Sequence, residues 1–235
     1  MYLRNVILAA LVLEVAAHAQ ISPPPVTADS PFQVKYAANL SAGESYIDIG
    51  NTGAYGEALF GPGIISGLNV ATGNLCVNVY AIDPAEELVS CCSCLVTPGQ
   101  VVHLGVNSDL VSSGHTTTGV VPSSAFVKLI GTLAGPTGAS TSCTNSAALA
   151  GAASFPLAVT GGMVAWGTTL HQAPGSGLYL PTETPFTPAF LNQGFGGTSS
   201  ELASLTGRCA FIIGDLGGYG ICSSCSTGAL GASKM

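Results

Sequence analysis

Eight cysteines carry the most chemistry in this sequence: Cys76, Cys91, Cys92, Cys94, Cys143, Cys209, Cys222 and Cys225. Cys91-x-x-Cys94 and Cys222-x-x-Cys225 together have the spacing of a tetrahedral zinc site. An even count behind an export signal points instead to disulfides, and Cys92 beside Cys91 weakens the metal pattern. All eight are therefore expected to pair, with no bound metal and no cofactor. A thioredoxin-like centre is disfavoured too, since Cys222 follows Gly217-Gly218-Tyr219-Gly220 rather than opening a helix of a βαβ unit. Asp83-Pro84-Ala85-Glu86 is a type I turn sequence joining extended runs at 75–82 and 88–94. If Asp83 faces Glu86, Cys76 lies opposite Ser93, within reach of Cys92 or Cys94. Cys209 is expected to close onto Cys222 or Cys225, and the full connectivity stays open.

Beyond sulfur, little in the chain is reactive. There is no Gly-x-Ser-x-Gly elbow and no His-Glu-x-x-His string. His103, His115 and His171 are isolated, so an enzyme would need one of them to meet a carboxylate in space. No catalytic residue is assigned. Asp83, Glu86 and Glu87 cluster on the proposed turn, where a solvated acidic turn is the first reading and calcium or a glycoside the second. Asn39-Leu40-Ser41 is an N-glycosylation sequon, making Asn39 a candidate acceptor.

These groups sit in a chain of 235 residues that is 47% hydrophobic and only 7% charged, with a net charge of −7. Mean hydropathy is +0.51. Disordered chains are apolar-poor and charge-rich, the reverse of this one. Five Lys and Arg cannot build a phosphate-neutralising patch, so nucleic acid is excluded as a partner. Residues 1–19 read as a secretory signal: Arg4, an apolar stretch at 6–13, and Ala17-His18-Ala19 before a mature start at Gln20. Glu14 leaves that stretch too short to span a membrane. The 147–166 stretch owes its hydropathy to Ala and is broken by Pro156 and Gly161-Gly162, so no transmembrane segment is expected after cleavage.

A Pro-rich extended leader at 20–31 precedes a single β-rich domain at 32–235. Phe32-Gln33-Val34-Lys35-Tyr36 alternates with period two, and further strands are expected at 45–49, 75–82, 88–95, 101–106, 125–130 and 163–170. Their spacing, with turn residues between, predicts a mainly β fold: an antiparallel β-sandwich, disulfide-braced, with one or two short helices. Those helices are expected at 145–153 and at 199–213, the second capped by Ser199 and striped by Leu202, Leu205, Cys209 and Ile212. Residues 186–197 read as a loop.

Tyr36-Ala37-Ala38-Asn39-Leu40, Cys91-Cys92-Ser93-Cys94, the 165–171 segment and the Cys222-Ser223-Ser224-Cys225 tail resemble secreted, cysteine-containing proteins of environmental bacteria. The resemblance spans most of the mature chain and implies export and shared architecture, with no activity attached. The function expected first is a secreted, non-enzymatic structural subunit of an extracellular filament or surface layer. It would assemble with copies of itself, because so few charges give little protection against association. Phe32, Val34 and Tyr36 would form the assembly strand, added to a neighbour's sheet edge, or else complete their own sandwich. The alternative is a glycan- or surface-binding module, for which a cleft lined by Trp166, Tyr179 or Tyr219 would speak. An extracellular hydrolase ranks third.

Overall fold

Alternation of apolar and small polar residues builds two antiparallel sheets and one helix in the computed structural model. The structure describes residues 30–56, 73–112, 114, 116–135, 138–143, 159–191, 201–215, 220–222 and 225–227. The expected signal sequence, the expected leader up to Asp29, His115, the helix expected at 145–153, Ser199 and Tyr219 lie outside the described residues.

The strands are β1 (Phe32–Ala37), β2 (Tyr46–Asn51), β3 (Leu75–Ile82), β4 (Leu88–Val96), β5 (Val101–Gly105), β6 (Ala125–Leu133), β7 (Met163–Gln172), β8 (Tyr179–Pro185), β9 (Thr187–Pro188) and β10 (Ser226–Thr227). Helix α1 spans Glu201–Asp215. One sheet has the order β4-β3-β6-β1-β9, the other β10-β5-β2-β7-β8. Between them Val77, Val79, Cys94 and Leu129 of the first sheet meet Ile47, Ile49, Leu104 and Met163 of the second, all buried. Buried amides tie the layers together: Gln33 Nε2 donates to Met163 O, and Asn51 Nδ2 donates to both Gly73 O and Val96 O. The outer face of the first sheet is covered in turn. Phe32, Tyr80, Cys91 and Ile130 pack against Leu202, Leu205, Cys209 and Ile212 of α1, the stripe read from the sequence. The architecture is thus helix, sheet, sheet.

The β3–β4 register differs from the expected one. Glu86 takes a left-handed conformation (φ 65°), so Asp83 N pairs with Glu87 O, and a further irregularity falls between Ala81 and Ile82. Together these slide β4 along β3 until Cys76 faces Leu95 rather than Ser93.

The expected bridges are corrected accordingly. Cys76 pairs with Cys143, Cys91 with Cys209, Cys92 with Cys222 and Cys94 with Cys225, at Cα separations of 5.3 to 5.9 Å. Strand geometry gives the reason. Residues facing one another across a ladder share a face and neighbours alternate, so Cys76 lies on the outer side of the sheet while Cys92 and Cys94 point into the core between the sheets. Cys209 is likewise held on the outer face, away from Cys222 and Cys225. All eight cysteines are consumed.

The sheet edges are closed by the chain itself. Along β4, Cys91 N donates to Gly220 O and Cys222 N to Cys91 O, after which the tail enters the second sheet as β10 beside β5. On the other flank the chain leaves the second sheet at β8, buries Phe186, and joins the first sheet as β9. Phe186 N donates to Ala165 O and Ala173 N to Leu178 O, which fixes the ladder's parity. Tyr179, Pro181, Glu183 and Pro185 therefore direct their backbone polar groups away from β7. Proline removes two of these four outward donors, a recognised guard on exposed edges.

Phe32, Val34 and Tyr36 do share one side of β1. That strand completes its own sheet, pairing with β6 along its whole length and with β9 at Gln33 and Val34. Phe32 is buried under α1, Val34 is half-buried and Tyr36 is exposed.

Candidate functional site

The acidic turn between β3 and β4 is a rigid one. Asp83 Oδ1 accepts from Ala85 N and Glu87 N, both at 2.9 Å, closing the loop on itself. The Glu87 carboxylate accepts from Thr117 N at 3.0 Å and from the Thr117 hydroxyl, pinning the neighbouring loop. Two of the three acids thus serve the backbone, leaving Glu86 exposed at the tip. Their carboxylate oxygens do not converge on a common cation position among the described residues.

Helix α1 crosses above this turn. The Cys91–Cys209 bridge fixes its middle to β4, which places Arg208 beside the hairpin, where Nη1 donates to Glu86 O at 3.1 Å. One end is held by the half-buried Lys128–Glu201 ion pair. Below, the phenol of Tyr80 lies in register with Lys128 and is 1% exposed, and burial drives its pKa far above the usual tyrosine range.

Two grooves of about 380 Å³ each open on either side of Arg208. The first is lined by Phe126 and Lys128 of β6, Ile82, Asp83 and Glu86 of the β3–β4 hairpin, and Glu201, Ser204, Leu205 and Arg208 of α1. The second lies between Glu87, Thr117 and Phe211. Phe126 and Phe211 are 37% and 56% exposed. Tyr36, directly across from Phe126 in the β1–β6 ladder, extends the aromatic shelf. Six of the chain's 17 charged side chains line these grooves. The sequence reading flagged the acidic turn but missed Lys128, Glu201 and Arg208. Glu201, Ser204 and Arg208 recur at i, i+3 and i+7, a polar helix stripe that is the legible signal.

Among the described residues, His103 and His171 do not come together. His171 is exposed on β7 opposite Leu180. His103 does meet a carboxylate: Nδ1 lies 3.0 Å from Asp48 Oδ1, both residues are buried, and the ring stacks on Tyr46 at 4.8 Å. The register continues from His103 through Asp48 to Trp166, which is 40% exposed on the same outer face. Tyr179 shares that face, opposite Gln172, six positions further along the ladder. Across the β5–β10 ladder the residue in register with His103 is Ser226. Asn39 is half-buried, and its Nδ2, the atom a sugar would join, donates to Leu170 O at 2.7 Å.

No protein-family model, curated protein or solved structure matches the chain. Among the described residues no helix is long and apolar enough to cross a membrane.

Proposed function

We propose that this protein is an exported, disulfide-braced recognition module that binds saccharide in the groove between α1 and the β3–β4 turn. The observation that carries this reading is the gathering of scarce charge, six side chains of 17, around a shelf of exposed aromatic rings. A pyranose presents an apolar face, which suits Phe126, and a rim of hydroxyls. The hydroxyls donate to Asp83, Glu86 and Glu201 and accept from Arg208 and Lys128. The Cys91–Cys209 bridge and the Asp83 and Glu87 clamps hold these groups in place before ligand arrives, which lowers the cost of binding. Binding rather than bond cleavage fits Asp83 and Glu87, whose carboxylates are already engaged by backbone N–H groups. Export is supported by the signal pattern at 1–19 and by disulfides of the kind that persist in oxidising compartments.

The test is a glycan array followed by calorimetry on any sugar retained. Arg208→Ala and Phe126→Ala should each weaken binding about tenfold or more, while Trp166→Ala leaves it unchanged. Absence of any retained sugar, or equal affinity in the groove variants, defeats the proposal.

Assembly is the second reading. Leu178, Leu180 and Phe190 are 65%, 56% and 68% exposed away from the groove, apolar surface of the kind that association buries. Since the sheet edges are closed or blunted, contact would be made through faces and loops rather than by adding β1 to a neighbour. Polymers in negative-stain micrographs of native secreted material would support it, and a monomer at high concentration in size exclusion would not.

A further inference from the structure

Of all side-chain clusters outside the groove, the most ordered is made of sulfur. Cys92 and Cys94 are two apart in β4 and so stand side by side on the face that meets the inter-sheet core. The tail delivers their partners. Cys91 N binds Gly220 O, Cys222 N binds Cys91 O, and the following residues pair with β5, so Cys222 and Cys225 are positioned by backbone bonds as well as by their disulfides. The sulfurs of Cys92, Cys94 and Cys225 all lie within 4.8 Å of one another, and that of Cys222 is bonded to Cys92. In a tetrahedral zinc tetrathiolate, zinc–sulfur bonds of about 2.3 Å put the sulfurs roughly 3.8 Å apart. The unbonded sulfurs of these three lie at most about 1 Å beyond this, the bonded pairs open to it on reduction, and Cys222 is brought in by side-chain rotation once its bond to Cys92 is cut.

We propose that Cys92, Cys94, Cys222 and Cys225 in their reduced state form a four-thiolate site for a soft divalent cation such as Zn²⁺, the disulfides being the oxidised state of the same cluster. Each disulfide takes two electrons from the reductant and gains two protons, supplied by a thiol reductant as it closes to its own disulfide or by water as a phosphine becomes its oxide. The four thiols then release four protons as the cation binds, with no change in its oxidation state. These are not the four residues suggested by the two Cys-x-x-Cys strings. Cys91 and Cys94 are three apart in a strand and face opposite sides, and Cys91 is committed to Cys209 on the outer face. Thiolates are the ligands zinc favours. Cation binding would hold the tail across both sheets before oxidation, so metal and oxidant would compete for one strap.

The intact chain, fully reduced with a phosphine under anaerobic conditions, is titrated with Cd²⁺, read by its thiolate charge-transfer absorption, and with Zn²⁺, read by native mass spectrometry. One ion per reduced chain and none per oxidised chain is expected. Bound ion should protect Cys92, Cys94, Cys222 and Cys225 from alkylation while Cys76, Cys91, Cys143 and Cys209 are modified. Should full reduction unfold the chain, the variant with Ser at 76, 91, 143 and 209 retains the four ligands alone. It should still take up one ion and regain β circular dichroism with it, whereas adding Cys92→Ser or Cys225→Ser should weaken affinity tenfold or more. Failure of both the reduced wild type and the four-cysteine variant to bind an ion overturns the proposal, as does protection of Cys91 in place of Cys92.

Discussion

Cys91 and Cys92 are consecutive in β4, yet their disulfides leave the sheet on opposite faces, one to Cys209 in α1 and the other to Cys222 in the tail. A strand turns successive side chains to opposite sides, so two adjacent residues fasten two different layers to one edge strand. The helix, with Arg208 beside its pinned cysteine, and the strap across the sandwich are thereby positioned from a single point.

That division of labour predicts separable effects. Replacing Cys91 and Cys209 by Ser should cost about 2–4 kcal/mol, the usual range for a native disulfide closing a long loop. The loss should be local. Hydrogen exchange followed by mass spectrometry is expected to show faster exchange in α1 and unchanged protection in β2, β5 and β7. A uniform loss of protection would mean that the bridge supports the whole sandwich instead.

Asn51 offers a second measurement. Its Nδ2 satisfies the Gly73 and Val96 carbonyls in the core, and its Oδ1 accepts from Gly53 N. Asn51→Leu fills similar space while orphaning these groups, each costing about 1–3 kcal/mol when buried and unpaired. Urea denaturation should register a loss of about 2–4 kcal/mol, and a variant as stable as wild type would show that water replaces the amide.

The sandwich and the α1 stripe were legible because both rest on periodicity: Val77, Val79 and Ala81 alternate, and Leu202, Leu205, Cys209 and Ile212 recur at helical spacing. The cysteine partners were not legible. The β3–β4 register turns on Glu86 adopting a left-handed conformation that a non-glycine residue seldom takes. Cys143, Cys209, Cys222 and Cys225 come to β3 and β4 from 67 to 131 residues away. Strand β8 was not among the expected strands, since Pro181 and Pro185 each remove a ladder donor, although on an edge strand the lost donors face outward. The candidate site was half visible. Asp83, Glu86 and Glu87 are contiguous, but Lys128, Glu201 and Arg208 join them only through the topology.

Two side chains give stability an alkaline dependence. Burial lowers the Lys35 pKa from 10.5, with Glu183 partly opposing it. Between the folded value and 10.5 the unfolded chain binds more protons, so stability rises with pH across that window. Tyr80 behaves oppositely. Burial raises its pKa above 10.0, so the folded chain keeps a proton that the unfolded chain loses, and stability falls as pH climbs past 10. Denaturation midpoints should therefore climb on the alkaline approach to pH 10 and decline above it. Lys35→Met should flatten the rise and Tyr80→Phe the decline; persistence of either limb in its variant would assign it to other groups.

The last expectation concerns β8, whose seven residues are all exposed. Its outward backbone positions are Tyr179, Pro181, Glu183 and Pro185, and the prolines leave only two N–H donors for an incoming strand. Pro181→Thr with Pro185→Val restores both donors and substitutes residues that favour strands. Pairing with β7 should survive, because neither proline lies at a hydrogen-bonded position of that ladder. The double variant should remain folded by circular dichroism yet form concentration-dependent dimers and larger species in size exclusion, since an open, flat edge templates further strands. Adding Leu180→Lys should reverse the association by placing a charge on that edge. If the double variant stays monomeric at concentrations where it is otherwise native, the prolines are not the guard, and protection must come from the Lys35 contact with Thr184 that braces β8 against the first sheet.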